Sequence, residues 1–599
     1  MGTLRNLFRL LAPRERRQVL LLMPLLGLSA LVEVAGIASI TPFLTIVADP
    51  GAVERHEVLA RFYSAGGFED VRAFLIALGV LMFLFIVGSN ALTALSTWAV
   101  LRFSWMRNHT IALRLLRGYL DRPYLFYLER HSSDLAKNLV AEVNQVVAGT
   151  IVPAMKSAAK GLAALAVLGL LFAVDPLLAL LTTGVLGGAY GAIFLAIRQR
   201  QRQMGKDRLA ANKGRFEVLA ETFGGIKEIK LLAREDEVQR RFTAPSYAFA
   251  RATARNAVIA QIPRYALEAI AFGGIVLIVL YLLGRGQELQ SLLPILGLYA
   301  FAGYRLMPSL QQIFQGMTNI RFNAAALEHL LDDLPTLGEA RSRPELSGPP
   351  LRLRESLRFR DVAFAYPTAP SPIFRGLDLE IAAGTSTAFV GETGSGKSTL
   401  ADLILGLLRP DAGVIEVDGE PLTDANLRRW QKNLGYVPQS IFLANDTITR
   451  NIAFGLADEH VDRAAVERAA RAACIHGFIR RELPHGYDTV VGERGVRLSG
   501  GQRQRIGIAR ALYHDPQVLV FDEATSSLDG LTEDSVLQAI VELARSRTLI
   551  MIAHRLSTVR ACDRILLLSR GEILDAGRYD ELLRSSPEFR ALAGSAGSS

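Results

Sequence analysis

Hydrophobic residues are concentrated in the first half of the chain, in long runs that short polar stretches separate. The runs begin near Val19, Ala73, Leu135, Pro176, Ala257 and Gln287. Each has the length that an α-helix needs to cross the hydrocarbon core of a bilayer, about 20 residues. The pattern therefore predicts six transmembrane helices.

The turns between these predicted helices indicate on which side of the membrane the loops and the termini lie. The loop 49–72 joins the first helix to the second, a tight turn at 174–176 joins the third to the fourth, and the segment 284–287 joins the fifth to the sixth. All three turns are expected on one side of the membrane, so both termini are expected on the other side. The first run, 19–47, is too long for a signal-peptide core and is interpreted as a retained helix.

The connections on the inner side are long and keep a helical pattern. About 100 residues separate the start of the second helix from the turn at Asp175, so each of the two helices would be about 70 Å long. The hydrocarbon core needs only about 30 Å. The excess is expected to project into the cytoplasm and to reverse near 122–127 and again near 216–225. We interpret the two reversals as docking points for a cytosolic domain, with plain solvated hairpins as the alternative.

The formal net charge of +9 first suggests nucleic acid as a partner, but the position of the charge argues for a membrane protein. The outer loop 49–72 leans acidic, whereas basic residues cluster beside the apolar runs, which is the positive-inside distribution. The clustered basic residues are Arg5, Arg9, Arg14, Arg16, Arg17, Arg102, Arg107, Arg114, Arg117, Arg198, Arg200, Arg202, Lys206 and Arg208. The two cysteines, Cys474 and Cys562, indicate no disulfide framework.

The composition changes after the sixth predicted helix. The segment 334–350 contains four prolines and mixed charge, which is typical of a linker. From Leu351 onward short β-rich runs alternate with helical ones, the pattern of an α/β domain. We therefore predict a transmembrane domain over 1–333, a linker over 334–350 and a soluble domain over 351–599.

The soluble domain contains a phosphate-binding loop between a strand and a helix. The strand-like run 387–390 leads into this loop, and a helix-like run 400–408 follows. Glycines let backbone N–H groups turn toward an anion, and the N-terminus of the following helix adds its dipole. The residues expected to hold ATP are Gly391, Glu392, Thr393, Gly394, Ser395, Gly396, Lys397, Ser398 and Thr399. Lys397 is expected to reach the β- and γ-phosphates, and Ser398 to bind Mg²⁺.

A second segment supplies carboxylates. Four apolar residues, 518–521, end in Asp522 and Glu523. A buried parallel strand delivers such side chains to its carboxyl end, where a nucleotide-bound Mg²⁺ would lie. We expect Asp522 on the metal side and Glu523 beside the attacking water.

The segment Leu498-Ser499-Gly500-Gly501-Gln502 resembles the signature motif of ATP-binding cassette (ABC) proteins. The other motifs of that family occur in order at Tyr366, Gln439, 527–529 and His554. The resemblance covers residues 350–590. It implies that Tyr366 stacks on adenine, that Gln439 reaches the metal and the water, and that His554 contacts the γ-phosphate. Catalysis is thus expected from Glu523, His554 and Gln439, and metal binding from Ser398, Gln439 and Asp522.

The resemblance also implies a homodimer. In the family, the signature residues serve the nucleotide held by the other subunit, so Ser499, Gly500, Gly501 and Gln502 are expected to contact the partner's ATP. The segment 488–495 resembles a loop found in ABC exporters. The implied fold is an all-α transmembrane domain of six long helices, like that of type IV ABC exporters, plus an α/β P-loop nucleotide-binding domain.

The membrane half resembles the bacterial flippases for lipid-linked oligosaccharides, over 224–230, 261–265 and 304–309. Arg264 and Arg305 lie in or near the fifth and sixth helices, where guanidinium groups would suit a pyrophosphate headgroup. The alternative is that they lie at the cytoplasmic end and reach toward water. Glu33 is interpreted as an ion-pair partner of an arginine or as a structural polar group, and the loop 51–66 as an interfacial helix or a solvated loop.

The predicted function is ATP-driven export or flipping of an amphipathic substrate across the bacterial inner membrane by alternating access in a homodimer. ATP and Mg²⁺ are the expected cofactors, the substrate is expected to be a lipid-linked oligosaccharide or related lipid, and nucleic acid is not expected as a partner. Two alternatives stay open: a multidrug or peptide exporter, and a membrane-anchored ABC ATPase that acts on nucleic acid.

Overall fold

The computed structural model of the chain describes residues 2–39, 43, 46–47, 51, 53, 57–68, 70–174, 176–284, 293–334, 348–492, 495, 498–523, 546–553 and 559–596. The chain divides into two compact units. The first comprises Met1–Arg122 and Tyr127–Ala340, and the second comprises Pro123–Phe126 and Arg341–Ser599.

The first part of the chain folds into helices wherever the structure describes it. The α-helices are α1 (Gly2–Leu10), α2 (Pro13–Ala38), α3 (Glu57–Ala65), α4 (Val71–Leu120), α5 (Tyr124–Leu128), α6 (Ser132–Lys137), α7 (Val143–Val146), α8 (Val152–Val174), α9 (Pro176–Gly224), α10 (Ile226–Leu231), α11 (Glu235–Gly284), α12 (Leu293–Phe322) and α13 (Ala324–Asp333). Two π-helical segments, Asn138–Glu142 and Val147–Ile151, connect α6, α7 and α8 into one continuous helical rod.

Three helical stretches in the described residues are long and apolar enough to cross a membrane: Pro13–Gly36, Val71–Leu120 and Ser132–Ala173. They correspond to the first three predicted spans. The other three predicted spans are also helices, α9, α11 and α12, although some of their side chains lie outside the described residues.

The long helices extend far beyond a bilayer, as the sequence predicts. Helix α4 has 50 residues, α9 has 49 and α11 has 50. At 1.5 Å per residue each is about 75 Å long, against about 30 Å of hydrocarbon core. The first predicted reversal is confirmed, because α4 ends at Leu120 and the short helix α5 follows.

The second reversal begins at the far end of the predicted stretch. It was expected near 216–225, and α9 continues to Gly224 before the chain turns through α10 and α11 begins at Glu235. The end of α9 is held against α11 by an ion pair between Glu221 and Arg241, 2.6 Å long. This contact with α11 favours the last two turns of α9, from Phe216 to Gly224.

Small residues let the helices of the first unit approach closely. A Cβ atom on Gly205 of α9 would lie 1.9 Å from the carbonyl oxygen of Phe322 of α12, and one on Gly316 would lie 1.9 Å from the hydroxyl of Ser157. Only glycine fits at such positions. The buried side chain of Glu33 lies 4.0 Å from the ammonium group of Lys160.

The second unit contains two sheets that frame an α/β domain. Four strands are antiparallel in the order β2-β1-β4-β5, and six strands follow the order β10-β9-β3-β8-β7-β6. Within the larger sheet, β9, β3, β8, β7 and β6 are parallel, and β10 pairs with β9 in the antiparallel sense. The strands are β1 (Ser356–Phe364), β2 (Phe374–Ala382), β3 (Ser386–Val390), β4 (Ala412–Val417), β5 (Glu420–Pro421), β6 (Leu434–Val437), β7 (Val518–Asp522), β8 (Thr548–Ile552), β9 (Arg564–Ser569) and β10 (Glu572–Gly577).

Helices pack on both faces of the larger sheet and complete the domain. They are α14 (Lys397–Ile404), α15 (Leu427–Gln431), α16 (Ile448–Ile452), α17 (Arg463–Ala472), α18 (His476–Glu482), α19 (Gly500–Leu512), α20 (Tyr579–Ser585) and α21 (Pro587–Ala596). All five residues of β3 and of β8 are buried. A buried parallel sheet presents the carboxyl ends of its strands along one edge, where ligands bind in such folds. The fold predicted for this half of the chain is confirmed.

Candidate active site

The phosphate-binding loop joins β3 to α14, in the order that the sequence predicts. Gly394 and Gly396 have φ angles of +84° and +104°, which residues with a Cβ atom rarely adopt. A Cβ atom on Gly391 would lie 2.1 Å from the carbonyl oxygen of Leu568 on the neighbouring strand. The loop therefore depends on its glycines both for its backbone angles and for its fit against the sheet.

Lys397 is the first residue of α14, and its side chain is buried within the loop. Its ammonium group donates hydrogen bonds of 2.8 Å to the carbonyl oxygens of Gly391 and Glu392. Burial lowers the pKa of Lys397, and the negative charges of Glu523 and Asp522 oppose that shift. The cation thus stays beside the loop backbone and close to the two carboxylates.

The two carboxylates lie at the end of β7, as expected. Asp522 is the last residue of the strand, and Glu523 follows it with a φ angle of +49°, an unfavourable value for a residue other than glycine. The backbone N–H of Glu523 donates to the carbonyl oxygen of Ile552 at 2.9 Å. Its carboxylate accepts a 2.6 Å hydrogen bond from the amide nitrogen of Gln439. Backbone and side chain are therefore both held at this position.

The signature segment begins a helix in another part of the domain. Ser499 is the N-cap of α19: its hydroxyl accepts from the N–H of Gln502, and its own N–H donates to the Gln502 side chain at 2.8 Å. Ser499 is exposed. Among the described residues, no hydrogen bond or ion pair joins segment 498–502 to the phosphate-binding loop 391–399. Within these residues, the N-terminus of α19 and the phosphate-binding loop therefore share no polar contact.

Comparisons with known proteins identify both parts of the chain. A family model described as ABC transporter matches residues 374–526, and one described as ABC transporter transmembrane region matches residues 27–288. A Chromobacterium violaceum protein named ATP-dependent lipid A-core flippase is 36% identical over 509 residues, 82% of this chain and 83% of that protein. The chain belongs to the ABC transporter family.

Two further comparisons each extend over more than three-quarters of the transporter. A protein of the same name from Alkalilimnicola ehrlichii is 33% identical over 481 residues, 79% of this chain and 80% of its own length. A solved structure of a bacterial Atm1-family ABC exporter with ATP bound has a TM-score of 0.78 at 26% identity, and the match covers 98% of this chain and 99% of that chain. The protein is a multi-pass membrane ABC exporter that binds ATP and couples its hydrolysis to transport.

Some predicted site residues of the ABC transporter lie outside the described residues. They are His554 and the segment 527–529. Arg305 lies in α12, but its side chain is also outside the described set. Arg264 is described: it is half-exposed on α11, and its guanidinium donates to Glu268 one turn further along the same helix, at 2.6 Å.

Tyr366, the residue expected to stack on adenine, is positioned by two neighbours. Its hydroxyl lies 3.1 Å from that of Thr399, and its ring contacts the ring of Phe364 edge-on at a centroid distance of 5.0 Å. The ring itself is partly exposed. The side chain is thus held beside the first turn of α14 with part of the ring open to solvent.

Sequence reasoning missed two side chains next to the carboxylates. The Tyr436 hydroxyl lies 3.5 Å from Asp522, and burial together with the charge of Asp522 raises the pKa of Tyr436. Asp402 is half-buried on α14, and burial raises its pKa to about 6, with Asp522 adding to the shift. No motif marks either residue, because their positions depend on the packing of β6 and α14 beside β7.

Proposed function

We propose that this ABC exporter flips an amphipathic lipid, a lipid-linked oligosaccharide or a related glycolipid, across the bacterial inner membrane. The observation that carries the proposal is the match to proteins named ATP-dependent lipid A-core flippase over about four-fifths of both chains. The match includes the membrane half, which determines what such a protein moves. We also propose the domain limits predicted above, 1–333, 334–350 and 351–599.

A homodimer is the proposed working form. Each chain carries one phosphate-binding loop and one signature helix, and the two are not joined within the described residues of a single chain. The N-terminus of α19 begins with Gly500 and Gly501, whose N–H groups have no acceptor within the helix itself, and it carries the positive end of a 13-residue helix dipole, which suits a phosphate. Two copies arranged head to tail would bring Ser499 of each copy to the ATP held by Lys397 of the other.

The second reversal supports the same assembly. Four apolar side chains are exposed at its tip: Phe223, Ile226, Leu231 and Leu232. Leu231 is 81% exposed and Phe223 is 68% exposed, values that favour burial against another surface. We propose that this tip docks on the ATPase domain of the partner subunit. Likewise Pro123–Phe126, at the first reversal, groups with the second unit.

Mg²⁺ fits the oxygen atoms near the end of β7. The hydroxyl of Ser398 is exposed at the start of α14, the carboxylate of Asp522 ends the strand, and the hydrogen bond from Gln439 to Glu523 uses only the amide nitrogen of Gln439. Hydroxyl, carboxylate and amide oxygens are the hard ligands that Mg²⁺ prefers. When bound, Mg²⁺ neutralises charge on the β- and γ-phosphates.

The chain's own residues then divide the work of hydrolysis. Lys397 and the loop N–H groups hold the phosphates, and Tyr366 packs on adenine. Glu523 orients the attacking water and accepts its proton, while Gln439 fixes the Glu523 carboxylate. His554 is proposed to contact the γ-phosphate. Arg264 and Arg305 are proposed as contacts for the substrate headgroup.

The test is an ATPase screen of the full chain in nanodiscs. Three sets of compounds would be added in turn: a polyprenyl-pyrophosphate glycan, short peptides, and DNA. We expect the lipid-linked glycan to stimulate hydrolysis severalfold, and the other two to leave the basal rate unchanged. Stimulation by peptides alone would favour a peptide exporter, and stimulation by DNA would contradict transport as the function.

A further inference from the structure

A basic cavity lies between α9 and α12, away from the ATPase site. It has a volume of about 260 Å³ and is lined by Arg198, Gln199, Arg202, Gln203, Lys206 and Arg321. All six lining side chains are polar, four of them carry positive charge, and none is acidic. A cavity of this kind attracts an anion.

The helix geometry gathers the positive charges on one side. Arg198, Arg202 and Lys206 are spaced four residues apart, so they lie in a row on one face of α9. Arg321 comes from α12 and is held over the ring of Phe194 at 4.9 Å from its centroid. Arginine on an aromatic ring keeps its donors directed to the side, where they can meet an anion.

These cations have little compensation from carboxylates. Arg202 pairs with Glu328 at 3.4 Å, and both side chains are largely exposed, so this pair is weak. Within the described part of the chain, Arg198, Lys206 and Arg321 form no ion pair. The cavity thus has a surplus of positive charge that an anionic ligand would balance.

The position of the cavity along α9 indicates where that ligand lies. The 22 residues from Pro176 to Ile197 carry no charged side chain. At 1.5 Å per residue they span about 33 Å, close to the hydrocarbon thickness of about 30 Å. This places Arg198 at the inner boundary of the membrane and Arg202, about 6 Å further along the helix, at the depth of the lipid headgroups.

The bilayer side of the cavity is apolar. Leu195, one turn before Gln199, is 58% exposed, and Met317, one turn before Arg321, is 37% exposed. A ligand held here would have its charged end among four cations and its other end against exposed hydrocarbon side chains. A lipid phosphate has this amphipathic shape, whereas a free phosphate ion does not use the apolar edge.

We propose that this cavity binds the phosphate headgroup of a lipid in the inner leaflet. The guanidinium groups of Arg198, Arg202 and Arg321 would form charge-assisted hydrogen bonds to the phosphate oxygens, and the acyl chains would lie along Leu195 and Met317. The proposal concerns this cavity alone and holds whichever substrate the exporter moves.

The test measures lipid binding to the purified full chain in a neutral detergent. Dioleoyl phosphatidic acid is titrated, and native mass spectrometry counts the bound lipids. The variant R198Q/R202Q removes two exposed charges, and we expect it to weaken the first binding step by at least about tenfold. The variant R198K/R202K keeps the charge and should retain most of the binding. Dioleoyl phosphatidylcholine should bind much more weakly to the wild type.

Arg200→Gln is the matched control, because Arg200 is exposed on the same helix at the same depth but does not line the cavity. Binding to R200Q should stay within about threefold of the wild type. An equal loss in R200Q and R198Q/R202Q would overturn the proposal in favour of diffuse surface charge. Displacement of phosphatidic acid by millimolar inorganic phosphate would overturn it in favour of a site for free anions.

Discussion

Glu523 occupies a position that its own backbone disfavours. Its φ angle of +49° is maintained by one backbone hydrogen bond and by Gln439. Strain at a site of this kind persists when the surrounding structure fixes it, and here it directs a carboxylate toward the end of the sheet.

Glu523→Gln should abolish ATP hydrolysis and leave ATP binding intact. The amide keeps the size of the side chain but no longer accepts a proton from water, so we expect at least about a 100-fold lower rate. Phosphate release and binding of a fluorescent ATP analogue would be measured on the same preparation. Glu459→Gln is the control, because Glu459 is exposed and lies outside the site. This variant should hydrolyse ATP at the wild-type rate. Turnover of the Glu523→Gln protein at the wild-type rate would remove Glu523 from the mechanism.

Asp402 should make stability depend on pH. Its folded-state pKa is raised from 3.8 to about 6, so the folded protein holds this proton more tightly than the unfolded chain. The resulting stabilisation is complete below pH 3.8 and is lost as the pH rises through about 6. Asp402→Asn carries no charge at any pH. Its unfolding temperature should therefore exceed that of the wild type by more at about pH 7.5 than at about pH 5.

Asp580→Asn is the control for that measurement, since Asp580 is exposed on α20. The difference in unfolding temperature between this variant and the wild type should be the same at both pH values. An Asp402→Asn difference that is also independent of pH would contradict the environment assigned to Asp402.

The roles of individual residues were predictable where the reactive groups are consecutive in the sequence. The loop 391–399 and the pair Asp522 and Glu523 carry their chemistry in consecutive positions, so the pattern alone identifies them. Tyr436 and Asp402 were not predictable, because Tyr436 contacts Asp522, and the charge of Asp522 acts on Asp402, only after β6, β7 and α14 have packed together. The same holds for Lys160 as the partner of Glu33.

At the scale of elements, a buried ion pair joins the helical rod formed by α6, α7 and α8 to α9. Glu142 accepts from Arg208 at 2.8 Å and from Asn212 at 2.7 Å, and the side chains of Glu142 and Arg208 are at most 3% exposed. Glu142 is the last residue of a π-helical segment. Such segments change the direction of the side chains that follow and are frequent at functional sites.

Arg208→Met should destabilise the protein by about 3–5 kcal/mol, because it leaves the Glu142 carboxylate buried without its cation. Thermal unfolding in detergent would measure the change. Arg240→Met is the control: Arg240 pairs with Glu237 at 2.6 Å, but this pair is exposed and should contribute less than about 1 kcal/mol. Equal destabilisation by the two variants would contradict the claim that burial of the ion pair sets the size of the loss in stability.

Helices and turns were predictable where the local pattern of hydrophobic residues alone sets the length of a helix. Apolar runs and helical periodicity predicted long helices and the first reversal. The second reversal begins only at the end of the predicted stretch 216–225, because α9 continues through Phe216 with support from α11, a tertiary contact that the local pattern does not contain. The contact of Gly149, in the second π-helical segment, with the side chain of Asn323 is likewise a tertiary contact that the local pattern does not contain.

At the scale of the whole molecule, the account depends on two copies of the chain. In the proposed homodimer, one copy would supply Lys397 and the carboxylates and the other the signature helix, so ATP would be enclosed only between them. Closure of two such sites would draw the cytosolic domains together, and the helices that extend about 45 Å beyond the membrane would transmit the movement.

Mixing two inactive variants tests this claim most directly. Lys397→Ala disables the phosphate-binding loop, and Ser499→Arg disables the signature helix, so each variant alone should be inactive. In a mixed pair, the intact loop of one copy meets the intact signature of the other. With random pairing about half of the dimers are mixed, and each mixed dimer has one working site out of two. Co-expression should therefore restore about a quarter of the wild-type ATPase rate. No recovery in verified mixed dimers would contradict the account.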